Sequence, residues 1–311
     1  MKALRHLVAL AIVIAAAVVA ASAHPIDTTT THAFEVASVK PSDEANASPL
    51  GPIPQVLPSP RGLTMRNLPL RLLVRLSYQI EDFQLVGGPD WQTSKRFDLT
   101  AKAPDSFSGQ FKDMFPMLRA LLNDRFALKT HVEQRELPIF SLVLAHNDRT
   151  LGPDMAASKD DCSDPEATQK RIQQLQTGGQ ASALAFLQQP DGVPCMMLPA
   201  AQPASPGSLV MRGRGQPMQA LTALLQQLTG RAVRDKTGLM GLYDWKLTIG
   251  AENFARLASQ SGVTLPAGLP SPPDGPSLMT TLREQLGLKL ESDKGPVDVL
   301  VIDAASMPTP D

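Results

Sequence analysis

The sequence predicts an α+β fold: two tandem pseudo-symmetric units, each with two helices packed on a small antiparallel or mixed sheet. Three observations carry this. Arg61-Gly62-Leu63-Thr64-Met65, followed by Leu68 and Leu72, recurs as Arg214-Gly215-Gln216-Pro217-Met218, followed by Leu221 and Leu225, at an offset of 153. Leu118, Leu122, Phe126, Leu128 and Lys129 recur as Leu278, Leu282, Leu286, Leu288 and Lys289, at an offset of 160. Segments with a single apolar stripe alternate with short β-rich runs, and such helices must cover one face of a sheet.

The elements follow in order. Phe34 to Val39 is β-rich, with Phe34 and Val36 on one face, and reads as a strand. Asn67 to Gln79 has apolar residues at 68, 72, 73 and 76 with Arg71 and Arg75 opposite, so a helix is expected with Asn67 as its N-cap. Gly87-Gly88-Pro89-Asp90 is a turn, and Phe97 to Ala101 alternates as a strand. A second helix is expected over Phe111 to Asn123, with its start displaced to Pro116. Phe126 to Val132 and Ile139 to Leu144 then read as a hairpin turned by Glu136-Leu137-Pro138.

The second half repeats the order. Leu209 to Met211 is a strand. Gln216 to Thr229 is a helix stopped by Gly230. Tyr243 to Ile249 is a strand. Ser277 caps a helix over Leu278 to Leu286. Leu288 to Glu291 and Val297 to Ile302 form a closing hairpin across Lys294-Gly295. Helices are also expected within Pro165 to Gln189 and near Glu252 to Ser259. The organisation expected is a signal peptide over 1–23, a first unit over 24–148, a Gln/Ala/Pro-rich insertion over 149–207 and a second unit over 208–311.

Lys2, Arg5 and His6 precede an apolar run from Leu7 to Ala20, which ends in Ala21-Ser22-Ala23. That run is shorter than the roughly 20 residues that span a bilayer, and the small-x-small ending suits signal peptidase. Export to the periplasm or medium is expected, with no membrane span after cleavage. A hydrophobic content of 43% and a charged content of 19% place the remainder among globular proteins. The net charge of −1, with no basic cluster, argues against nucleic-acid binding. Cys162 and Cys195 lie 33 residues apart with no histidine nearby, so in an exported chain a disulfide is expected rather than a nucleophile or metal site.

No motif carries chemistry. Asp235-Lys236-Thr237-Gly238 shares four letters with the phosphorylated loop of P-type ATPases, but Leu239 replaces the Thr needed there. It reads as a polar loop entering the Tyr243 strand. His131 alternates with Lys129 and Glu133 on a solvated strand face, and no His-Glu-x-x-His or Gly-x-Ser-x-Gly occurs. No metal and no cofactor are expected. The loops around Trp91 and around Asp235, Lys236 and Tyr243 occupy corresponding places and are the expected binding surface.

Several motifs together resemble a known family. They are Phe34-Glu35-Val36-Ala37-Ser38-Val39-Lys40-Pro41-Ser42, Gly88-Pro89-Asp90-Trp91, Arg96-Phe97-Asp98-Leu99 and Leu122-Asn123-Asp124-Arg125-Phe126-Ala127-Leu128. Val233-Arg234-Asp235-Lys236-Thr237-Gly238-Leu239, Gln285 to Leu290 and Val301-Ile302-Asp303 complete the set. The chain resembles a soil-associated family of exported bacterial proteins of unknown function, whose domain also occurs fused to BlaR1-like membrane peptidases. Arg234 stands where that family has an apolar residue. The resemblance implies an extracytoplasmic sensing or binding role. It supplies no catalytic residue to carry over.

The function expected is therefore a noncatalytic extracytoplasmic binding, sensing or interaction module with a protein or small-molecule partner. The rival expectation is a secreted hydrolase acting on an extracellular polymer through the loop carboxylates Asp90, Asp235 and Asp244.

Overall fold

A computed structural model describes residues 26–29, 33–42, 54–109, 111–160, 162, 193–199, 208–250, 253, 256 and 277–308. The signal segment, the helix expected within Pro165 to Gln189 and most of the second insertion lie outside the described residues.

The fold is mixed α+β, with four helices and three four-stranded sheets among the described residues. In chain order these are β1 (Val36–Pro41), β2 (Gln55–Ser59), β3 (Gly62–Pro69), α1 (Leu70–Tyr78), β4 (Leu85–Gly87), β5 (Arg96–Lys102), α2 (Phe115–Arg125) and β6 (Lys129–Leu144). They are followed by β7 (Met155–Ala157), β8 (Met196–Pro199), β9 (Leu209–Pro217), α3 (Met218–Thr229), β10 (Val233–Asp235), β11 (Leu242–Ile249), α4 (Leu278–Thr281) and β12 (Leu288–Ala304). A π-turn over Leu282–Leu286 extends α4.

The chain forms two compact units, and neither is a contiguous stretch. Among the described residues, the amino-terminal unit combines 26–137 with 295–308, and the central unit combines 138–256 with 277–294. In the amino-terminal unit an antiparallel sheet runs β1-β5-β3-β2. Leu63, Met65, Leu68, Leu73, Phe97, Leu99, Leu118, Leu122 and Phe126 join Leu300 and Ile302 in one buried core. In the central unit an antiparallel sheet runs β7-β11-β9-β8. Leu221, Leu225, Leu228, Trp245, Leu247, Ile249, Leu282 and Leu286 are buried there.

The third sheet has the order β10-β6-β12-β4. Its two long strands each contribute one part to either unit. In the amino-terminal unit β4 runs parallel to the end of β12, with Leu85 opposite Leu300 and Gly87 opposite Ile302. In the central unit β10 runs parallel to the end of β6, with Val233 opposite Phe140 and Asp235 opposite Leu142.

Both expected hairpins are corrected by this arrangement. Glu136-Leu137-Pro138 does not turn the chain, because β6 is one strand from Lys129 to Leu144. Lys294-Gly295 does not turn it either, because β12 runs unbroken from Leu288 to Ala304. Pro138 is tolerated because pairing with β10 begins only at Phe140, so on that side no ladder bond requires its missing N–H.

The entrance to α1 is also corrected. Its N-cap is Pro69, not Asn67. Asn67 lies in β3 with a left-handed φ of 61°, at a bulge between Met65 and Leu68. Gly215 does the same in β9, with φ 62° at the bulge before α3. In each case a carboxylate on the neighbouring strand holds the bulge. Asp98 Oδ1 accepts from the Asn67 N–H at 2.9 Å, and Asp244 Oδ1 accepts from the Gly215 N–H at 2.7 Å. The residue that plays the part of Gly215 is thus Asn67. Gly62, which the offset of 153 equates with it, merely opens β3. Gly230 terminates α3 in the left-handed conformation, and the Ser277 side chain accepts from the Thr280 N–H, as the sequence predicts.

Candidate functional site

The loop from β10 to β11 is built from its first residue upward. Asp235 ends β10, and its Oδ1 accepts from both the backbone N–H and the hydroxyl of Thr237, at 2.8 and 2.7 Å. Thr237 is buried, and its Oγ1 in turn accepts from the Leu239 N–H at 3.1 Å. Gly238 and Gly241 adopt φ of 66° and 93°, which a side chain would resist. The Tyr243 hydroxyl donates to the Met240 carbonyl at 3.2 Å. This chain of bonds fixes the loop, yet Met240 at its tip is 87% exposed.

A polar cluster joins the first residue of the loop, Lys236, to β6 and β12. The Lys236 Nζ donates to Asp293 Oδ2 at 3.0 Å, and the Ser141 hydroxyl donates to the same oxygen at 2.8 Å. The Lys294 N–H donates to Asp293 Oδ1 at 2.8 Å. Hydrogen bonds from Lys236, Ser141 and the Lys294 backbone, with the lysine charge, pull the Asp293 carboxyl down to about 2. Lys236 is half exposed, so the pair is open to solvent.

The same unit holds a shallow cavity of about 660 Å³ between the β6–β7 loop and α4. Its lining includes His146, Leu151, Pro153, Met279, Arg283 and Glu284. Its floor is fixed by close backbone contact: a Cβ on Gly152 would stand 2.3 Å from the Gln285 carbonyl oxygen.

The four expected binding residues are divided. Asp235 and Lys236 are exposed at the loop, whereas the Tyr243 ring is buried and reaches the loop only through its hydroxyl. Trp91 belongs to the amino-terminal unit. Its ring stacks on Phe126 at 6.4 Å and meets Phe97 edge-on at 6.1 Å, so its faces serve the core. The carboxylates of the hydrolase reading each have a local structural setting. Asp244 anchors the Gly215 bulge, Asp235 shapes its own turn, and Asp90 opens a 3₁₀ turn in the other unit. Among the described residues no group of three His, Cys, Asp or Glu side chains could hold a metal.

Cys162 and Cys195 form the disulfide expected of them, with Cα atoms 5.5 Å apart. Gly215 lies against it, since a Cβ there would stand 2.4 Å from the Cys162 sulfur. The bidentate pair of Arg214 with Asp160, at 2.6 and 3.1 Å, flanks the bridge.

The sequence did not single out Ser141, Asp293 or Met240. The first two come from strands whose pairing the expected hairpins had hidden. Met240 carries only the weak signal of a large apolar residue between Gly238 and Gly241 in a turn.

A family model of proteins of unknown function, DUF3738, matches residues 71–305. The chain belongs to this family. No curated protein and no solved structure is found to match it. Among the described residues no helix is long and apolar enough to cross a membrane.

Proposed function

We propose that the protein is an extracytoplasmic binding or sensing module that performs no chemistry itself and meets its partner through the loop between β10 and β11. The observation that carries this reading is the contrast within the loop. Asp235, Thr237 and Tyr243 brace the backbone through hydrogen bonds, while Met240, in the same loop as Lys236, is exposed to solvent. A preorganised loop that exposes a polarisable apolar side chain suits recognition, because little conformational freedom is lost on binding. The disulfide is compatible with the export that residues 1–23 suggest. The resemblance to soil-associated exported proteins, some fused to BlaR1-like peptidases, supports the same setting.

The test places a photo-crosslinking residue at position 240 in the intact chain expressed in its host. A defined adduct is expected, and Lys236→Ala, which removes only an exposed ion pair, should weaken it at least several-fold while leaving stability within about 0.5 kcal/mol. An adduct pattern no different from that of a crosslinker at exposed Lys289 would overturn the proposal.

A further inference from the structure

The side chain of Arg119 on α2 is fully buried, at 0% exposure. A buried guanidinium is tolerated only when its donors are met, and Arg119 meets them in an unusual way. Nη1 donates to the Ser77 carbonyl of α1 at 2.8 Å, and the guanidinium lies 5.4 Å from the centre of the Tyr78 ring. The other two contacts come from a segment with no regular secondary structure. Nε donates to the Thr29 carbonyl at 2.8 Å, and Nη2 donates to Asp27 Oδ2 at 2.6 Å. The Asp27 carboxylate also accepts from the Thr29 N–H at 2.9 Å, which sets the segment's shape, and Ile26 packs on the core. Asp27 remains about half exposed, so the segment lies upon the unit rather than within it.

We propose that Ile26–Thr29 is the tethered occupant of a peptide-binding slot, built by Arg119, Ser77 and Tyr78, that accepts a short segment bearing one carboxylate. What the slot reads is a carboxylate and one backbone carbonyl, offered to the planar fork of an arginine beside an aromatic ring. A peptide with an aspartate two residues before an accessible carbonyl carries both. Tethering raises the local concentration of the cis segment to the order of millimolar, so a competitor from outside binds only when the cis segment is weakened or detached.

The test uses the intact chain and a fluorescein-labelled peptide of residues 24–33, with anisotropy as the readout. The unaltered chain should show no binding, because its slot is filled. The Asp27→Asn chain should bind the labelled peptide, and at least tenfold more weakly a control peptide carrying the same Asp27→Asn change. A folded Asp27→Asn chain that binds neither peptide, or both equally, overturns the proposal. If that chain does not fold, a protease site replacing residues 30–32 serves instead. After cutting, labelled peptide should exchange into the slot, and a cut protein that takes up none overturns the proposal equally.

Discussion

At the scale of single residues, two carboxylates do structural work. Asp98 and Asp244 each hold a left-handed residue in the bulge that aims a strand into a helix. Removing one leaves a backbone N–H without its acceptor, at a cost of about 1–3 kcal/mol. Asp244→Ala should therefore lower stability by that amount in urea unfolding, and a change below about 0.5 kcal/mol would show that the bulge holds itself. Gly215→Ala should also destabilise, by about 1 kcal/mol or more, since it strains φ and drives a methyl into the disulfide. Asn67→Gly at the matching bulge should be nearly neutral. These roles were not legible in the sequence. Asn67 before an apolar run reads as an N-cap, and only the strand opposite, with its aspartate, shows it to be a bulge.

Asp293 gives the residue scale its pH dependence. Its carboxyl is held near 2 in the folded state, below the ordinary value of 3.8. A depressed carboxyl contributes stability that is full above the unfolded pKa and is lost as pH falls through the folded one. The window is thus from about pH 4 down to about pH 2. The melting temperatures of the parent chain and of Asp293→Asn should differ above pH 4 and converge as pH approaches 2. A difference that persists unchanged to pH 2 would mean that the carboxylate does not sustain the contacts with Lys236 and Ser141.

At the scale of elements, most helices and strands were legible because each is amphipathic over its own length. Gly230 after α3 and Ser277 before α4 are local signals with local effects, and they act as read. The two hairpins were not legible. Proline and glycine inside a β-rich run mark turns by local chemistry, but β6 and β12 are kept straight by β10 and β4, partners far along the chain. The disulfide belongs to this scale as well. It joins the chain just beyond β7 to the residue just before β8, and these are the two edge strands of the central sheet. Its loop entropy is worth about 3–4 kcal/mol. Cys162→Ser with Cys195→Ser should lose about that much in urea unfolding, and an unchanged midpoint would show that the bridge closes a loop already held by its edges.

At the scale of the whole molecule, the α+β class was legible from the alternation of helical and extended patterns, while the partition of the chain was not. Contiguous halves are the natural reading of a repeated sequence. Instead, residues from Pro138 belong with the central unit and residues from Gly295 with the amino-terminal one. Leu300 and Ile302, at the far end of the chain, lie in the core with Phe97 and Leu122. The candidate site follows from the same crossing, for Ser141 and Asp293 reach Lys236 only because both long strands pass through the central unit.

A fold whose units share two strands should unfold as one. Each unit carries one tryptophan, Trp91 in the amino-terminal unit and Trp245 in the central one. Trp91→Phe and Trp245→Phe therefore leave one fluorescent reporter apiece. In urea, the fluorescence transition of each variant should overlay the far-ultraviolet circular dichroism transition of the same variant, in midpoint and in slope. A fluorescence transition that departs from the dichroism curve in either variant would mean that one unit melts while the other stands, and β6 and β12 would not bind them into a single folding body.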